Sequence, residues 1–232
     1  MKKIISIITI SIILLVTGCL KKSNTIPSIE KPGAETQYKP KIKFGSSIIV
    51  GGTDVIMFPL NLNDDKYESY DRGRSGMSYW NIVFHNITTG KNELLTRNKL
   101  IISSIQVGNQ KTAHNQPLSL SDRFIYYDVT NSDFDGDKRL TLKDPRKLFI
   151  SGLDGQSFTQ ISPENYSVYS WKVDDRHDLI LMTVLRDTDN NKEFDGKDEM
   201  EYFTYNLKTA NMEPVFDEAF KQKLNELAKK VL

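Results

Sequence analysis

The chain has 232 residues, with 31 Lys and Arg against 30 Asp and Glu, a formal net charge of +1, and 38% hydrophobic and 26% charged residues. That balance fits a folded globular protein with a modest core, and the near-zero charge argues against nucleic acid as a main partner, because such binders concentrate Lys and Arg. Only 13 Gly and 8 Pro argue against collagen-like or low-complexity chains.

Residues 1–18 read as an export signal. Lys2 and Lys3 precede an apolar run from Ile4 to Val16, followed by Val16-Thr17-Gly18-Cys19. A basic start, a short apolar stretch and small residues form such a signal, and the run falls short of the ~20 residues that span a bilayer. The V-T-G-C tetrapeptide resembles a bacterial lipobox. The resemblance implies cleavage before Cys19, the chain's one cysteine, and lipidation of its thiol. Lipid chains hold a protein on a membrane without a span. The expected location is therefore the bacterial cell envelope. Leu20 after the cysteine implies the periplasmic face of the outer membrane in a Gram-negative host. No second cysteine is present for a disulfide, so stability has to come from packing or metal.

Residues 19–40 read as a lipidated cysteine and a tether. Leu20 to Pro40 carries three prolines, a glycine and scattered charge with no apolar period. Such a segment buries too little apolar surface to offset the entropy of ordering.

Residues 41–215 read as an all-β repeat domain. Short runs of Ile, Val, Phe and Tyr alternate with polar residues and are punctuated by Gly, Asn, Asp and Ser. Three segments look alike: Ile82–Thr96, Leu148–Ser162 and Tyr202–Phe216. Each is a strand, a polar turn (TTGK, LDGQ, KTAN) and a second strand. The turns suit residues that tolerate positive φ. A further strand with an aspartate near its start precedes each hairpin, at Thr53–Leu60, Ser121–Val129 and Asp174–Leu185. Trp171-Lys172-Val173-Asp174 followed by Leu179-Ile180-Leu181 resembles the W-x-x-D phrase of WD-type and TolB-like β-propeller repeats. The resemblance covers about Ile48 to Phe216 and implies propeller-like antiparallel meanders in about three units. Closed propellers have four to eight blades. Three units leave open an arc, closure by association, or a sandwich of stacked meanders.

Two acidic loops sit between strands of the second and third units. Asp133 to Asp144 reads DFDGDKRLTLKD, and Asp187 to Asp198 reads DTDNNKEFDGKD, 54 residues later. Oxygens at positions 1, 3, 5, 7 and 12 of a tight loop suit Ca²⁺, a hard ion that takes 6–8 oxygens. One site would use Asp133, Asp135, Asp137, the carbonyl of Arg139, and Asp144. The other would use Asp187, Asp189, Asn191, the carbonyl of Glu193, and Asp198. The loops resemble EF-hand and dockerin calcium loops without the flanking helices. Position 8 carries Leu140 and Phe194, apolar residues that pin a loop to the core. Position 6, usually Gly, is Lys138 and Lys192, so a positive φ there would cost roughly 1 kcal/mol. With Asp at position 12 the expected affinity is on the order of 10⁻⁴–10⁻³ M, as in extracellular modules. Mg²⁺ prefers fewer protein ligands, and Zn²⁺ would want His or Cys. Asn61–Arg72 in the first unit reads as a decayed copy.

His85, His114 and His177 show no paired spacing, and no nucleophile elbow, P-loop or dinucleotide fingerprint occurs. The chain therefore reads as a non-enzyme, and the aromatics Trp80, Tyr126, Tyr127, Tyr166, Tyr169 and Trp171 read as core and strand-pair residues. Residues 216–232 form an amphipathic helix with Phe220, Leu224, Leu227 and Val231 on one face, expected to pack against the β-body. Together these features describe a lipid-anchored envelope protein whose calcium-stabilised repeat body is an interaction or scaffold module with a protein or glycan partner. The alternatives are a calcium-dependent ligand- or glycan-binding module and an envelope hydrolase using a carboxylate pair.

Overall fold

The computed structural model describes residues 41–62, 78–108 and 119–232. The export signal, Cys19 and the tether lie outside the described residues. So do His114 and the acidic stretch of the first unit beyond Leu62.

Among the described residues the body consists of three four-stranded antiparallel units. The first contains β1 (Ile48–Val50), β2 (Val55–Asn61), β3 (Tyr79–Asn86) and β4 (Asn92–Leu94). The second contains β5 (Ile101–Val107), β6 (Phe124–Thr130), β7 (Lys147–Gly152) and β8 (Thr159–Gln160). The third contains β9 (Ser167–Asp174), β10 (Leu179–Arg186), β11 (Glu199–Asn206) and β12 (Met212–Pro214). One pair, Tyr79 with Ile102, links the first two units into a continuous sheet. All three repeats recognised in the sequence are present, each preceded by an additional strand. The fold is propeller-like, and the units do not close into a ring within the described chain.

Alternation explains the packing. Successive side chains of a strand point to opposite faces, so one register sends one set inward. Met57, Ile82 and Phe84 of the first unit pack on Ile125, Tyr127, Val129 and Phe149 of the second. The opposite face of the second unit gives Tyr126, Leu148 and Ile150, which pack on Val168, Ile180, Met182 and Val184 of the third. The middle unit is thus buried on both faces, and the near-continuous burial of β6 and β7 reflects this.

The hairpin turns of the first and third units share one construction. Asn86 and Asn206 accept from N–H groups two or three residues on, and their carbonyls accept the N–H of Gly90 and Ala210 at 2.8 Å. Those residues adopt φ of 69° and 56°. Ala210 tolerates a conformation that glycine would take without strain.

Polar ties also run between the second and third units. The Trp171 indole N–H donates to Asp128 at 3.0 Å, and its ring stacks on Tyr126 at 5.3 Å. Arg146 donates to the carbonyl of Val168 at 2.7 Å, and Ser121 donates to Asp175. The tryptophan of the W-x-x-D phrase is therefore a clamp between units. Tyr166 packs edge-on against Phe203, whereas Tyr169 is exposed.

Helix α1 (Glu218–Val231) is capped by Asp217, which accepts the Phe220 N–H at 2.7 Å. None of its residues is buried. The expected packing of its apolar face differs from the structure. Phe216, which stacks on Phe220 and meets Tyr202 edge-on, and the Lys221–Glu201 ion pair at 3.0 Å hold only its start. Its fourteen residues reach about 21 Å at 1.5 Å per residue, and Phe220, Leu224 and Leu227 remain exposed along it.

Candidate metal centre

The two acidic loops occupy equivalent places, one joining β6 to β7 and the other β10 to β11. Their backbones match. In the first loop φ is positive at Gly136 (80°) and Lys138 (67°), and in the second at Asn190 (57°) and Lys192 (64°). Position 6 therefore takes the left-handed conformation anticipated from the sequence, on a lysine in both copies.

The hydrogen bonds match as well. Asp133 accepts the Gly136 and Lys138 N–H groups at 2.8 Å each, and Asp187 accepts the Lys192 N–H at 3.1 Å. Asp135 accepts from Asp137 N–H, and Asp189 from Asn191 N–H. Asp137 accepts from Arg139 N–H, and Asn191 from Glu193 N–H. The side chain two residues back satisfies each successive amide, as Asp and Asn do in tight turns.

The structure gathers Asp133, Asp135 and Asp137 so that one carboxylate oxygen of each lies within 4.8 Å of the others. In the second loop the gathered group is Asp187, Asp189 and Asp198, with position 12 in place of position 5, where Asn191 stands. Asp144 is not in the first cluster. It is buried and accepts the Phe134 and Thr141 N–H groups at 2.8 Å each. Asp198 does the same with Thr188 and Asp195 at 3.0 Å each, yet it also reaches its cluster. Burial opposes ionisation of Asp198, but the N–H groups of Thr188 and Asp195 and the Thr188 hydroxyl outweigh it and hold the carboxyl below its ordinary range. Arg139 and Glu193 have their amides tied into the loops.

One oxygen of Asp187 is enclosed and has no hydrogen-bond partner among the described residues. A shielded carboxylate oxygen left without a donor is the feature a cation would satisfy. The donor set, all oxygen, fits a hard ion.

The loops also meet each other. Phe134 and Phe194 pack with ring centroids 5.1 Å apart, and the Lys192 ammonium donates to the Asp135 carbonyl at 3.3 Å. Leu140 is buried, while Phe194 anchors its loop on Phe134 of the neighbouring loop. Sequence reasoning missed this contact. A phenylalanine at position 2, between two aspartates, was the available signal.

His85 bonds Asn92 at 2.8 Å and His177 bonds Asp174 at 2.7 Å, each within its own unit. A pocket of about 280 Å³ between the first two units is lined by residues including Leu95, Thr96, Leu100, Asn131, Phe149 and Phe158. Its lining contains no acid, histidine or lysine among the described residues.

No protein-family model and no curated protein matches the chain. Among solved structures, a protein designated TolB from Agrobacterium tumefaciens is similar with a TM-score of 0.33 at 13% identity, over 71% of this chain and 61% of that one. The chain thus spans less than two thirds of that protein's length, and a likeness this weak does not by itself establish kinship.

Proposed function

We propose that the chain is a non-enzymatic, lipid-anchored protein of the bacterial cell envelope. Its β-repeat body binds two calcium ions in the acidic loops and works as an interaction or scaffold module. The observation that carries the calcium reading is the duplicated loop, with the same amide network and a gathered carboxylate triad in each copy. Three carboxylates this close repel by roughly 1 kcal/mol per pair even at the dielectric of water. Calcium removes that repulsion and gives the enclosed Asp187 oxygen a partner. Because the loops touch through Phe134 and Phe194, ordering them also stiffens the junction of the second and third units.

The anchor rests on the V-T-G-C tetrapeptide and the apolar run before it. Radiolabelled palmitate should enter the wild-type chain and not the Cys19→Ser variant. For the calcium sites, the Asp133→Asn, Asp187→Asn double variant should lose the stabilisation that calcium gives the wild type. Equal calcium stabilisation of the two proteins would remove the metal reading. A second reading, calcium-dependent glycan binding, is favoured by the exposed Phe134 ring beside its cluster. Saturable calcium-dependent glycan binding that Phe134→Ala abolishes would support it.

A further inference from the structure

We propose that two copies of this chain associate to close a six-unit ring, the outer face of the first unit in each copy packing on the outer face of the third unit in the other.

The pairing registers define both faces. Ile56 lies opposite His85, Phe58 opposite Val83, and Val83 opposite Leu94. Residues directly opposite share a face, so Ile56, Phe58, Val83 and Leu94 form one surface. It is the reverse of the Met57, Ile82 and Phe84 surface that packs on the second unit. In the third unit Thr183 lies opposite Tyr202 and Leu181 opposite Thr204, and Met200 shares their face opposite Leu185, which is itself only 6% exposed within the chain. These lie on the reverse of the Ile180, Met182 and Val184 surface. Leu94 is 51% exposed, Leu181 41%, Met200 45% and Tyr202 38%.

The two faces are of different kinds, and the chain already pairs such kinds twice. The first unit's forward face meets the second unit's backward face, and the second unit's forward face meets the third unit's backward face. What remains among the described residues is one backward face, on the first unit, and one forward face, on the third, bordered at Tyr202 by Phe216 and the start of helix α1. A second copy offers the complement of both. Closed rings hold four to eight blades, and six is the one multiple of three in that range. A two-fold axis satisfies both contacts at once and leaves no open end.

The area suffices. The smaller face limits each contact: the first unit's strands of 3, 7, 8 and 3 residues, 4.8 Å apart, give roughly 330 Å². Two contacts with two surfaces each give roughly 1,330 Å², within the range of stable interfaces. The proposal stands apart from calcium and from the anchor, because none of the residues named on these faces is an expected calcium ligand or Cys19.

The test is sedimentation equilibrium of the full chain in detergent at micromolar concentrations. The expected mass is that of two chains. Val83→Lys on the backward face and Leu181→Lys on the forward face should each weaken association at least 100-fold, with the thermal unfolding of the separated chains retained. If Val83→Lys fails to fold, Leu94→Lys on the same face replaces it. Mixing a backward-face variant with Leu181→Lys should restore part of the association, because one of the two contacts then joins unaltered faces. A single-chain mass for the wild type, open-ended larger assemblies, or no recovery on mixing would each overturn the proposal.

Discussion

Asp144 provides the sharpest test of how the loops are built. Position 12 of a calcium loop is expected to bind the ion, but this carboxylate is only 5% exposed and spends its two oxygens on the Phe134 and Thr141 N–H groups at 2.8 Å. Hydrogen bonds to a charged group contribute about 1.5–3 kcal/mol each, and an enclosed N–H left unpaired adds its desolvation penalty. Both amides are partly buried, so water recovers some of this. Asp144→Ala should then destabilise the chain by about 3 kcal/mol, a fall of roughly 6–12 °C in melting temperature for a body of this size. The loss should appear in chelator as fully as in calcium, and the protein should still bind two ions. Asp144→Asn should fall between, since its amide can accept only one of the two N–H groups. The assay is thermal unfolding by circular dichroism with and without chelator, alongside ion counting. An unchanged midpoint in chelator together with the loss of one ion would refute the assignment and make Asp144 a ligand.

Trp171→Phe should retain the stacking on Tyr126 but strip the indole donor from the buried Asp128, costing about 1–3 kcal/mol in urea unfolding; an effect under about 0.5 kcal/mol would mean the clamp is incidental. Lys138→Gly should raise the melting temperature by about 2–4 °C, because relief of its positive φ exceeds glycine's added chain entropy; an unchanged or lower midpoint would refute that balance. Burial lowers the Lys147 ammonium from 10.5 to about 8. The unfolded chain therefore binds the extra proton between those values, and unfolding free energy should rise from pH 8 to 10 by an amount on the order of 2–3 kcal/mol. Lys147→Met should flatten that rise. Burial raises the hydroxyl pKa values of Tyr126 and Tyr127, so the unfolded state releases protons first and stability should fall again above pH 10.

The strands were legible because alternation and turn chemistry are local. Asn86, Gly90 and Asn206 are turn residues by their own chemistry, and the 54-residue echo of the acidic loops shows through as matching positive φ at positions 4 and 6. What the sequence hid was which group each side chain would serve. Asp144 and Asp198 are the same residue at the same loop position, and both cap two amides, but only Asp198 also reaches its cluster. That difference depends on loop placement rather than on spacing. The Phe134–Phe194 contact joins two loops from different units, and no period along one chain segment reports it. Helix α1 shows the converse limit. Its amphipathic pattern and cap were readable, but a pattern identifies an apolar face without naming what covers it.

The central claim is that the duplicated carboxylate loops are calcium sites, and calorimetric titration of the full chain with calcium in detergent tests it most directly. The account predicts two ions per chain with dissociation constants on the order of 10⁻⁴–10⁻³ M, and one ion after Asp187→Asn. No heat of binding across that range, with a melting temperature indifferent to chelator, would make both loops solvated acidic turns and contradict the account.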